Sequence, residues 1–200
     1  MTKTIMVSLF LGIALGYGHI LPPSFTNHLH VFTDCALFIA VFSVGMDLGC
    51  NRNTLQEIRQ WGWKILLLPL SAMVGSIVLS SMVSPLLKIP MRESAAIVSG
   101  FGWYSLAGAM LTHLAGPYLG TTAFLANLLR EIFTFFSVEW IYPRFGGWAT
   151  VALGGATSMD TTLGLISETS EGRLNTLSLT SGVLHSLAVP IFIPLWIKMP

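Results

Sequence analysis

Charge is scarce in this chain, and what there is lies mostly between apolar runs rather than through them. Of 200 residues, 10% are charged and 53% hydrophobic. A soluble domain carries roughly 25% charge, so the balance excludes an ordinary water-soluble globule. The formal net charge is +1, too little for the concentrated basic surface that nucleic-acid binding requires. Cysteine is scarce as well: Cys35 and Cys50 stand near opposite ends of one apolar run. A disulfide or shared metal site there would have to bridge a whole crossing, so two free thiols are expected. Phosphate-binding loops, nucleophile elbows and metalloprotease pairs are missing too. Neither an enzyme nor a bound cofactor is expected, and ATP coupling would need another subunit.

What the chain does have is a series of seven apolar runs, near 5–21, 31–49, 63–84, 94–114, 118–138, 148–166 and 174–197. Each approaches the roughly 20 residues an α-helix needs to cross the hydrocarbon layer. Barrel strands would be about half as long and would alternate. The expected fold class is an all-α integral membrane protein, a single transmembrane domain over 1–200. It has about seven transmembrane segments, one or two of them discontinuous or re-entrant. The first run follows Lys3, and Leu15-Gly16-Tyr17-Gly18-His19 is no small-residue cleavage site. It therefore reads as a segment of the mature chain rather than a signal peptide.

The polar stretch 51–60 carries Arg52, Glu57 and Arg59, with Lys64 just beyond. The positive-inside rule makes it a cytoplasmic loop. Seven crossings then put the N-terminus inside and the C-terminus outside. One re-entrant segment would invert everything beyond it, and whether 148–166 crosses or re-enters is open. Gly116-Pro117 marks a tight turn, while Pro190 and Pro194 either kink the last segment or end it early.

Asp160 is the first candidate for function, because a carboxylate at bilayer depth is expensive and usually functional. Thr157, Ser158, Thr161 and Thr162 add hydroxyls, and Gly154 and Gly155 permit backbone geometries that turn carbonyls and amides toward a ligand. Such a set can hold an ammonium, a sodium ion or a proton. A helix cap at Asp160 or Ser158 is the structural reading of the same residues. Segment five carries Asn127, Arg130 and Glu131 among Phe and Leu. Asn127 and Glu131 share a face; Arg130 points about 100° away from Glu131 and is expected to meet a carboxylate or carbonyl ends elsewhere. Glu131 either neutralises the surroundings of Arg130 or takes part in proton or cation coupling. Gly100, Gly102 and Gly108 with Ser99, Ser105 and Ala107 give segment four a small-residue face, read either as close helix packing or as an unwound ligand-lining stretch. Trp103 and Tyr104 beside it form either an aromatic wall over a ligand cation or core packing. Asn175, His113 and His185 are weaker candidates.

Three stretches resemble the bacterial lysine exporter family: Ser99-Gly100-Phe101-Gly102-Trp103-Tyr104-Ser105-Leu106, Leu129-Arg130-Glu131, and Gly155-Ala156-Thr157-Ser158-Met159-Asp160. Gly45-Met46-Asp47-Leu48 with Gln56-Glu57-Ile58 is similar, less specifically. The resemblance runs through essentially the whole chain and matches the C-terminal two-thirds of full-length members, as in the long subunit of a split exporter. It implies a multi-pass carrier of the bacterial inner membrane that exports L-lysine or a related basic amino acid by antiport. The coupling ion would be a proton or Na+, and Asp160 would be the essential acid. A small membrane subunit would supply the missing N-terminal segments; a homo-oligomer is open. Where the family has an Asn-Asp pair this chain has Ala126-Asn127, which leaves fewer carboxylates for the ε-ammonium. Lysine's site should combine acidic and neutral oxygens with exposed amides or a cationic group, which Asp160, the threonines and a half-helix amino end could supply. The alternative reading is a channel-like or non-transporting structural subunit whose polar residues pack the bundle.

Overall fold

The computed structural model describes residues 64–199 and ten isolated positions ahead of them, from Leu11 to Met46. The runs 5–21 and 31–49, apart from those positions, and the loop 51–60 lie outside the described residues. The chain divides into Met1–Ile39 and Ala40–Pro200, and the helices below all belong to the second unit. Cys35, the cysteine that is described, is a free thiol.

Six α-helices make up residues 64–199: α1 (Lys64–Leu87), α2 (Met91–Val98), α3 (Tyr104–Ala115), α4 (Pro117–Gly154), α5 (Leu163–Ser170) and α6 (Asn175–Lys198). A 3-10 turn, Gly155–Met159, sits between α4 and α5. No strand occurs among the described residues, and the all-α expectation holds there. Ile65–Leu87 and Asn175–Lys198 are each long and apolar enough to cross a membrane. α6 continues through both Pro190 and Pro194. α4 is two helices in one, interrupted at Gly146, whose φ of 79° is non-helical.

Two ends of this bundle can be told apart by their contacts. At the lower end, Leu68, Val138, Val151 and Ile166 form a buried cluster on which Leu174 and Leu177 pack. Gly147 there lies against Leu174. At the upper end, Ser80 and Ser94 share a hydrogen bond of 2.7 Å, and Arg92 donates to the Met199 carbonyl at 3.4 Å. α1 and α6 therefore rise, and residues 117–145 of α4, about 43 Å at the α-helical rise, descend between the ends.

The two remaining pieces do not run through. α2 starts at the upper end and stops at Val98; α3 returns antiparallel to α4, with Tyr104 on Phe124 and Gly108 on Phe124 and Gly120. It ends beside the start of α4. Likewise, 147–154 leaves the lower end and α5 comes back to it, with Ile166 in the lower cluster. The stretch 94–114, counted among the crossings, and 148–166, for which crossing or re-entry was open, are thus helical hairpins that enter from opposite ends. The reason lies in their middles. Phe101 (φ 46°) and Gly102 (φ 102°) take left-handed backbone at the first tip, as does Gly155 (φ 60°) at the second. For Phe101 that geometry costs about 1–2 kcal/mol, offset by complete burial of its ring against His185 and Phe192.

Candidate functional site

The hairpin tips meet each other at mid-height. The Ala156 amide donates to the Phe101 carbonyl at 2.8 Å. A Cβ at Gly155 would collide with that carbonyl, and one at Gly102 would come within 2.8 Å of the Gly154 carbonyl. Backbone on backbone is the contact, and only glycine leaves room for it.

α4 holds both tips. Asn127 accepts the Gly102 N–H at 2.9 Å and donates to the Ile97 and Ala123 carbonyls, each at 2.9 Å. Arg130 donates from Nε to Leu153 O and from Nη2 to Ala152 O, both at 2.9 Å. Those are last-turn carbonyls of α4, where a cation also meets the negative end of the helix dipole. Nη1 reaches Ser76 Oγ at 3.4 Å, near the middle of α1. Arg130 thus meets carbonyl ends, one of its two expected partners, and among the described residues it makes no ion pair.

The remaining hydroxyls separate into two sets. Thr157 donates to Gly154 O at 2.9 Å and lies 3.4 Å from the Thr162 hydroxyl. Ser158 sits 2.7 Å from Gly155 O and 2.9 Å from Ser178 O on α6. These three side chains are buried and shape the second tip. Asp160 and Ser105 are exposed, and Trp103 and Thr161 half-buried. Asp160 accepts the Thr161 N–H. Glu131 is 3% exposed, yet neither carboxylate oxygen has a hydrogen-bond partner. Its surroundings are the Thr161 hydroxyl, which stands as a donor beside both acids, and the charge of Asp160. Tyr104, the first residue of α3, lies within electrostatic reach of both acids. Burying an isolated carboxylate without a partner is among the most expensive arrangements a protein can hold. Glu131, Asp160 and the Thr161 hydroxyl thus stand together at the tip junction. No group of three or more metal-ligating side chains occurs among the described residues.

Over residues 6–197 the chain matches the family model described as lysine exporter LysO. It belongs to the lysine exporter family. The lysine exporter LysO of Escherichia coli (strain K12) is 31% identical over 186 residues, which cover 92% of this chain and 60% of that protein. A putative lysine exporter of Haemophilus influenzae is 28% identical over 167 residues, 82% of this chain and 83% of the relative. The chain therefore spans about 60% of the length of its Escherichia coli relative. No solved structure matches it. Membership of this exporter family implies a membrane protein.

Within this family member, two features of the site escape a reading of motifs. Ser76 is one hydroxyl in a long apolar run, and only the fold brings it to Arg130. His185 is fully buried, donates from Nδ1 to Ser181 O at 2.8 Å, and packs on Phe101. It was visible as a polar residue in an apolar helix, but its place behind the first tip was not.

Proposed function

We propose that this chain is the transport core of a secondary exporter of L-lysine or a related basic amino acid, embedded in the bacterial inner membrane and driven by a proton or Na+ gradient. The observation that carries the reading is Glu131, buried and unpartnered, facing Asp160 where the two hairpin tips meet. A carboxylate at the bilayer centre costs about 2.5–3.5 kcal/mol even on permissive scales. Two together are tolerable when a cation neutralises them in turn: the substrate's ammonium on the way out, a proton or Na+ on the way in. Export of a cation against the membrane potential costs about 2.3 kcal/mol per charge per 100 mV, so the exchange with an incoming ion supplies the driving force.

Broken helices meeting at mid-depth, entering from opposite faces, are a recurrent way for carriers to build such sites. In this reading α1, residues 117–145 and α6 cross, and the hairpins re-enter. With the 51–60 loop cytoplasmic, Arg144 and Arg173 fall inside; Lys88, Arg92 and Lys198 fall outside. Trp140, with Arg144 stacked 4.6 Å from its ring centroid, would anchor the inner interface. Gly146 and Gly172, both with positive φ, bracket the second hairpin at that end and form its hinge during alternating access. A small membrane subunit is the partner proposed for the carrier.

The test is gradient-driven lysine flux in vesicles containing the chain with its partner, for wild type and Asp160→Asn. Collapse of flux in the variant is expected. Equal flux in both would remove Asp160 from the mechanism. Lost stability with unchanged lysine affinity would favour a structural or channel-like subunit instead.

A further inference from the structure

The second hairpin tip carries three threonines, Thr157, Thr161 and Thr162, and two of them use their hydroxyls inside the tip. Thr157 donates to Gly154 O at 2.9 Å, and Thr162 stands 3.4 Å from the Thr157 hydroxyl. Threonines on the helices behave alike: Thr112 and Thr134 donate to the carbonyl four residues back, at 2.7 and 2.8 Å. Thr161 departs from this habit. Its hydroxyl oxygen is buried and finds no carbonyl, and it stands as a donor beside both Glu131 and Asp160.

Other groups hold it there. Arg130, one residue before Glu131, ties α4 to the Ala152 and Leu153 carbonyls just ahead of the tip. The Thr162 amide then closes the turn on Thr157 O at 3.0 Å. The two acids that Thr161 faces differ in access: Glu131 is 3% exposed, while Asp160 is exposed and accepts the Thr161 N–H.

We propose that Thr161 is a positioning residue of the cation site, a hydroxyl switch between Glu131 and Asp160. It rests on the exporter reading above and deepens it by fixing how many cations the acid pair holds, and in which order. A hydroxyl has one proton to donate, so it serves one carboxylate at a time. The acid it serves can stand charged away from water; the other needs a cation. With the hydroxyl turned to Glu131, an ammonium or a small cation sits on the exposed Asp160. Rotation about the Thr161 Cα–Cβ bond, from one staggered position to another, turns the hydroxyl to Asp160 and hands the cation to the buried Glu131. The pair thus holds one positive charge at a time, which is what exchange of substrate for coupling ion requires.

Thr161→Val removes the hydroxyl at nearly constant shape, and Thr161→Ser keeps it. Thermal unfolding of Thr161→Val, Glu131→Met and the double variant reads the contact without transport. The valine is expected to lower the melting temperature by about 3–10 °C beside the native glutamate, and to leave it unchanged in the Glu131→Met background. In vesicles, lysine flux should fall at least tenfold in Thr161→Val and stay within about twofold of wild type in Thr161→Ser. Thr161→Ala replaces the valine in both measurements if that variant does not fold. Equal melting losses in the two backgrounds overturn the proposal, as does full flux in the valine variant or equal impairment of valine and serine. Each of these leaves the exporter reading intact. Absence of lysine flux in wild type would instead bring that reading down, and the switch with it, whatever the melting data show.

Discussion

Asn127 and Arg130, one helical turn apart on α4, each fasten a different hairpin tip. Asn127 binds the backbone of the first through Gly102 and Ile97. Arg130 binds the second through Ala152 and Leu153. A single turn of one through-helix thus sets the height at which two hairpins from opposite ends meet, and Glu131 follows directly in sequence.

Arg130→Leu should destabilise the fold, since each buried carbonyl left without its donor costs about 1–3 kcal/mol. Arg130→Lys should fall between, because an ammonium keeps the charge but lacks the guanidinium fork that serves two carbonyls at once. Thermal unfolding in detergent reads both. An Arg130→Leu protein as stable as wild type would remove the capping role.

At position 155 a methyl group has nowhere to go, because the Phe101 carbonyl occupies the space and φ is positive. Gly155→Ala should therefore part the tips, with a loss of about 2 kcal/mol or more. Hydrogen exchange at Ala156 should rise in the surviving folded protein. Unchanged protection of that amide would argue against the tip-to-tip bond.

Glu131→Gln separates stability from transport. Neutralising an unpartnered buried acid removes a desolvation cost, so the melting temperature without substrate should hold or rise. Flux should fall at least tenfold, and stabilisation by lysine, about 2.7 kcal/mol at a hundred times Kd, should disappear. A destabilised variant with full flux would make Glu131 a packing residue.

Single cysteines at Arg144 and Arg173, in a chain with Cys35 and Cys50 replaced by serine, should label from the same side of sealed vesicles. Cysteines at Arg92 and Lys198 should label from the other. Opposite labelling of 144 and 173 would mean that 148–166 crosses.

The polypeptide on its own determined that this is an apolar α-helical chain, where its runs begin and end, and that Asp160 and Glu131 stand out within them. Those properties follow from hydropathy, length and the cost of charge in lipid, which are local. Tertiary structure alone decided that 94–114 and 148–166 turn back, because crossing and re-entrant runs have the same composition and differ only in what their middles touch. It also decided which polar groups are used internally. Asn127, Thr157, Ser158 and Thr162 are as polar as Thr161 and Ser105, and only packing buries the first four, leaves Thr161 half-buried beside the acids and leaves Ser105 exposed.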